Sequence, residues 1–251
     1  MKGWLRSTVG ARGLLVAALV LPGLALASIG KVSLLEGTAK RTSGEQAQAL
    51  HADSEIELND TIEVGAASNL KITLNDESVL MLGERSRLVI DEATFEGQER
   101  KGFIATLGFG KVWAHVKKAL AGSDAKFEVK TERAVAGVRG TIFRVDYGET
   151  AKATLPAQKL RMVVRVVEGR VMVAAQVPKK AEAPSSSSQG GKKGERKQVA
   201  GPQEITQQQW EQKFVELQAR QQVEVGEEMT ARPLDTSAMK DAFGRFVDRN
   251  Q

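Results

Sequence analysis

Phe127-Glu-Val-Lys-Thr131 and, six residues on, Val138-Arg-Gly-Thr-Ile-Phe-Arg-Val145 form the stretch on which the fold turns. Phe127, Val129 and Thr131 fall on one face of an extended chain; Thr141, Phe143, Val145 and Tyr147 do the same in the second arm. A period of two is that of half-buried strands. Arg139-Gly140 stands where the chain turns from one to the other, and glycine supplies the backbone freedom a tight corner needs.

The same grammar extends outward. Glu55-Ile-Glu-Leu58 alternates, Leu70, Ile72 and Leu74 share a face, and Leu88-Val-Ile90 and Met162-Val-Val-Arg-Val-Val167 read as more deeply buried strands. Asn59-Asp60, Gly65, Asn75-Asp76 and Gly83 mark turns between them. Short strands with turns about every 8 to 12 residues define a sandwich, roll or barrel. Leu34-Leu-Glu-Gly-Thr-Ala39, Leu107-Gly-Phe-Gly-Lys-Val112 and Val166-Val-Glu-Gly-Arg-Val171 each set a glycine between an arriving and a leaving strand. Their unequal spacing excludes a regular solenoid and points to a recurring corner at which glycine takes a positive φ.

Two segments break the pattern. Residues 178–197 carry proline, alanine, four consecutive serines, Gly190-Gly191 and six lysines and arginines, the composition of a disordered insert. Such a segment ordinarily marks a domain boundary, but loop length costs little, so it can also sit between two paired strands. After Thr206, a candidate N-cap, the spacing turns helical: Trp210, Phe214 and Leu217, then Met239, Phe243 and Phe246, with Pro233 between the two groups. Two helices are expected in residues 207–251, their apolar stripes docking on an open end of the β-domain or serving a partner.

The first 27 residues read as a secretory signal. Lys2, Arg6 and Arg12 precede an apolar run at 14–26, and Ala25-Leu-Ala27 closes it with small residues where signal peptidase cuts. Thirteen apolar residues broken by Pro22 and Gly23 fall short of the roughly 20 that span a bilayer. Cleavage would leave Ser28 first, in the periplasm or outside the cell. It would also remove three of the 36 lysines and arginines, leaving 33 against 31 acidic residues, so the basic balance of the whole chain says little about nucleic acid. Cysteine is absent, and the mature chain must be held by its core rather than by disulfides.

The motif residues from Phe127 to Val145 resemble the "F-x-V-x-T … RGT-x-F-x-V" pattern of the FecR-like domain. Residues 30–39 are similar to that family's opening strand and corner, 166–173 to its "V-x-G-x-V-x-V" strand, and 197–205 to the strand that closes on it, which implies that residues 178–197 are the expanded tip of a hairpin within one domain. Residues 74–80 stand where the family has "L-x-D-G-S-x-L", with Glu77 in place of the glycine, which puts the tight turn in question. The resemblance implies a mainly β domain over residues 28–206, a β-roll or irregular β-helix packed as a sandwich, with a helical appendix at 207–251. Name-giving members pass a signal from an outer-membrane transporter to a cytoplasmic sigma factor, which requires a cytoplasmic segment and a membrane span that this sequence is not expected to supply.

Candidate sites are few. Within Arg139, Gly140, Thr141 and Phe143, glycine would make the corner, Thr141 would bond backbone from the core, and Arg139 would tie down a loop or grip an anion. His51 and His115 lack a second ligand at metal spacing, no serine lies in G-x-S-x-G, and Gly108-Phe-Gly-Lys111 lacks the rest of a P-loop. Asp53, Glu55, Glu57, Asp60 and Glu63 alternate with Ile56, Leu58 and Ile62, as on a solvated strand face. No catalytic residue, metal or cofactor is expected. The function expected is non-catalytic recognition of an envelope protein, peptidoglycan or polysaccharide, with no nucleic-acid partner. Against it stand an enzyme acting on peptidoglycan or polysaccharide, and a secreted scaffold or adhesin subunit.

Overall fold

The computed structural model describes residues 28–117, 125–149, 160–178, 210–226 and 229–251. The signal segment, most of residues 178–197 and the expected strand at 197–205 lie outside them. Seventeen strands follow in chain order: β1 Ser28–Glu36, β2 Ala39–Ser43, β3 Gln46–Ala49, β4 Glu55–Glu57, β5 Thr61–Val64, β6 Asn69–Leu74, β7 Val79–Leu82, β8 Arg87–Glu96, β9 Glu99–His115, β10 Lys126–Lys130, β11 Ala134–Val138, β12 Ile142–Glu149, β13 Leu160–Glu168, β14 Val171–Pro178, β15 Trp210–Leu217, β16 Gln221–Val225 and β17 Arg232–Pro233. A 3-10 turn, Ser237–Lys240, leads into the one α-helix of the described residues, α1 Ala242–Asn250.

The strands make two layers. In the first, the order is β4-β1-β6-β7-β9-β12-β13-β16-β17, antiparallel throughout. In the second it is β3-β2-β5-β8-β9-β10-β11-β14-β15, with β9 and β10 parallel and the rest antiparallel. Strand β9 belongs to both: residues 99–109 pair with β8, residues 110–115 with β12. The crossing falls at Gly110, φ 105°. A Cβ there would stand 2.4 Å from Ser86 Cα, so only glycine lets the strand bend through.

The chain changes layer repeatedly, and a left-handed residue marks the passages: Gly37, Asn59, Arg85, Gly140, Gly169 and Arg220 among them. The corner glycines of the three similar segments, Gly37, Gly110 and Gly169, all have positive φ, as their spacing suggested. The mainly β, rolled-sandwich expectation holds.

The alternation read from sequence sets the core. Phe127, Val129, Phe143, Val145, Leu70 and Ile72 are each no more than 1% exposed and meet between the layers. A second, smaller core lies outside the sandwich. Met81 and Trp113 on the outer face of the first layer are covered by Phe243, Phe246 and Val247 of α1. Burial of three such side chains contributes roughly 1.5–3 kcal/mol each, which holds a nine-residue helix that would be marginal alone.

Three expectations need correction here. Residues 210–217 form strand β15, not a helix, paired with β14 from Val171↔Leu217 to Pro178↔Trp210. The spacing of Trp210, Phe214 and Leu217 suits a helix, but the edge of β14 offers a full row of hydrogen-bonding groups, and Leu217 is fully buried while Phe214 is 64% exposed. The hairpin around the insert is therefore closed by β15, downstream of the strand expected at 197–205. Strand structure also continues in β16 and β17, so among the described residues of 207–251 helix is confined to the end. Finally, of the Met239, Phe243 and Phe246 stripe, Phe243 and Phe246 dock with Val247 on a sheet face rather than on an open end of the sandwich.

Candidate recognition face

The expected site residues come together in one corner. Gly140 takes φ 59°. Thr141, 2% exposed, donates its hydroxyl to the Arg170 carbonyl at 2.9 Å, which fastens the corner to the neighbouring one at Gly169. Phe143 is fully buried and meets Phe127 edge to face at 6.4 Å. Arg139 is exposed and makes no hydrogen bond or ion pair among the described residues.

The arginine that ties elements together is the second one of the motif. Arg144 sits on the outer face of β12, 1% exposed. Its Nε donates to Asp146 Oδ1 at 2.6 Å, and Nη1 and Nη2 donate to the two Asp241 oxygens at 3.0 and 2.7 Å. The guanidinium also lies 5.1 Å from the Phe243 ring centroid, a cation–π contact. Asp241 is the N-cap of α1, accepting from the Gly244 N–H at 2.7 Å, and Lys111 Nζ reaches it at 2.7 Å. Burial pushes its carboxyl up, but the bonds from Arg144, Lys111 and Gly244 outweigh it and hold it well below the ordinary aspartate range. Asp146 passes the network on, accepting from Arg165 as well.

Sequence reasoning passed over Arg144, Asp146 and Asp241 because the partners lie 97 residues apart. A signal existed: with Phe143 and Val145 inward, Arg144 and Asp146 had to face outward, where an apolar helix stripe needed a surface.

Registers place Met81, Trp113, Arg144, Arg165, Gln222 and Arg232 in one row across the first layer. The helix covers the apolar half. The polar half stays open as two adjoining cavities of about 350 and 280 Å³ that share Arg161 and Val163. The first runs beside Phe109 and Lys111; the second is walled by Arg165, Gln222, Glu224, Arg232 and Asp235.

The acidic run of residues 53–63 is not uniformly solvated as expected. Asp60 is fully buried, accepting from the Glu57 N–H at 2.9 Å and from Arg41 at 3.2 Å. It closes the turn between β4 and β5, a structural use of the charge. Among the described residues no group of three or more His, Cys, Asp or Glu is placed to hold a metal ion, and no helix is long and apolar enough to cross a membrane.

A two-layer β-sandwich whose motif residues build a corner and whose outer face carries a polar groove is the class this geometry defines. Residues 60–172 match the model of the family described as FecR protein, a span that contains the whole 127–145 motif and omits the opening strand at 30–39. No curated protein matches the sequence. Two crystal structures of a provisionally assigned anti-sigma factor from Parabacteroides distasonis ATCC 8503 are similar, at 16% and 17% identity with TM-scores of 0.43 and 0.41. Each alignment covers 70% of this chain and 60% of the solved one, so the chain spans less than two thirds of their length.

Proposed function

We propose that the protein is a FecR-like binding module of the cell envelope, exported by its first 27 residues, that recognises an envelope component without turning it over. The observation that carries this reading is the division of labour in the matched region. Gly140, Thr141 and Phe143 are occupied in the corner, Arg144 is occupied in holding α1, and the concave polar surface left open lies beside them. A groove of charged side chains with no nucleophile–base pair or metal cluster among the described residues suits binding better than group transfer.

Site-specific photocrosslinking in living cells tests it. A crosslinker at Arg161, in the groove, should capture an envelope component that one at Glu45, on the exposed β2–β3 turn, does not. The purified mature protein, incubated with peptidoglycan and acidic polysaccharides, should release no product on chromatography. Fragment release, or capture equal at both positions, would overturn the reading.

A further inference from the structure

We infer that the outer-face groove binds an acidic oligosaccharide, carboxylates at its two ends and sugar hydroxyls between; this rests on the groove being the recognition surface proposed above. Start from the charges. Every carboxylate lining the two cavities is already engaged: Asp146 by Arg144 and Arg165, Glu224 by Arg161, Asp235 by Ser237 and Glu84 by the Ala67 N–H. Two cations are not. Arg85 at one end and Arg232 at the other have no side-chain hydrogen bond or ion pair among the described residues. Arg85 and Arg232 thus keep guanidinium N–H donors that no group among the described residues takes up, and an anion can accept from them.

Between those ends lie a donor and an acceptor without partners. Arg165 is only 9% exposed, yet its Nε has no hydrogen-bond partner, and neither has Oε1 of Gln222, directly opposite it on β16. A buried donor or acceptor left unpaired costs about 1–3 kcal/mol. A hydroxyl both donates and accepts, so one ligand hydroxyl, admitted as the half-buried Gln222 side chain turns, can satisfy both atoms. A carboxylate or phosphate offers acceptors only and would leave Gln222 unanswered.

Phe109 supplies the apolar element. Its ring lies over Gly148, where a side chain would have come within 3.5 Å of it, and remains 41% exposed in the first cavity. An exposed ring beside polar groups suits the C–H face of a sugar, with the ring buried on one side and its partner positioned by hydrogen bonds on the other. From β9 to β17 the groove crosses four strand steps, about 19 Å at roughly 4.8 Å each. That length calls for an oligomer rather than a single sugar.

The test is calorimetric titration of the mature protein with galacturonic acid oligomers, against neutral malto-oligomers of similar length and against polyglutamate. The acidic sugar should bind, and more weakly as salt rises. Arg232→Ala, Arg85→Ala and Phe109→Ala should each weaken it about tenfold, as loss of one charge-assisted bond or one ring contact does, with Tm unchanged. Gln222→Met should also weaken it; unchanged binding there would mean that no hydroxyl is held between Arg165 and Gln222 and would sink the assignment. Equal binding of the neutral oligomer would refute the acidic class, and equal binding of polyglutamate would refute the saccharide. If no sugar binds while Arg161 still crosslinks an envelope component, this inference fails and the recognition reading stands.

Discussion

At the residue scale, the fold places non-glycine side chains in a conformation they resist. Glu77 adopts φ 62° in the turn between β6 and β7, where its N–H still bonds the Leu74 carbonyl at 2.9 Å. The sequence raised the question of whether a turn without glycine would hold. It does, at the expense of a left-handed glutamate whose ion pair to Lys117 is exposed on both sides and contributes little. Glu77→Gly should therefore raise stability by about 1 kcal/mol, read as a higher denaturant midpoint at unchanged m-value. A lower midpoint would mean that the Lys117 pair outweighs the backbone strain. The contrast with Gly140 is instructive: there the motif itself announced the corner, because glycine is the residue whose absence of Cβ a reader can see. Left-handed Arg85 and Arg220 carry no such mark.

At the element scale, helix α1 is fastened by a carboxylate with two duties, cap and counterion. Asp241→Asn separates them, since asparagine caps a helix as well as aspartate does but brings no charge to Arg144. The substitution should cost about 3 kcal/mol at neutral pH, as for a buried pair broken on one side. The folded-state pKa of Asp241 is depressed, so its stabilisation is complete above the ordinary aspartate value of 3.8 and is lost as pH falls below that value. Chemical denaturation at pH 7, 4 and 2.5 should show wild type and variant converging as the medium becomes acidic. A constant gap would assign the effect to packing instead of charge. How legible such elements were depended on where their partners lay. Strands whose inward residues repeat every second position, such as β6 and β12, were readable because each declares its own buried face. Strand β15 was not: Trp210, Phe214 and Leu217 fit a helical stripe, and what decides for a strand is the edge of β14, on the other side of a long insert. The groove was legible least of all, since Arg165, Gln222 and Arg232 become neighbours only through the registers of three strands.

At the scale of the whole molecule, the last residues of the chain cover a face built largely by the first half. Phe246 and Val247 pack with Met81 and Trp113, Lys71 bonds the Asn250 carbonyl at 2.6 Å, and Arg249 reaches Glu36. Removing residues 236–251 should expose that face and cost on the order of 5 kcal/mol from the lost apolar burial. In a Trp210→Phe background, Trp113 emission should shift to the red in the truncated protein while the far-ultraviolet β signal persists. An unshifted spectrum would show the face covered by something else. Strand β9 sets a different constraint, one of timing. A chain ending at Glu96 leaves open one growing edge in each layer, β7 in one and β8 in the other; β9 closes both and in the same move creates the edges that β10 and β12 occupy. If the chain is exported as proposed above, both layers would remain half built until residue 115 had followed through the pore. A chaperone holding residues 99–115 would halt both layers together, and one releasing them would let both proceed.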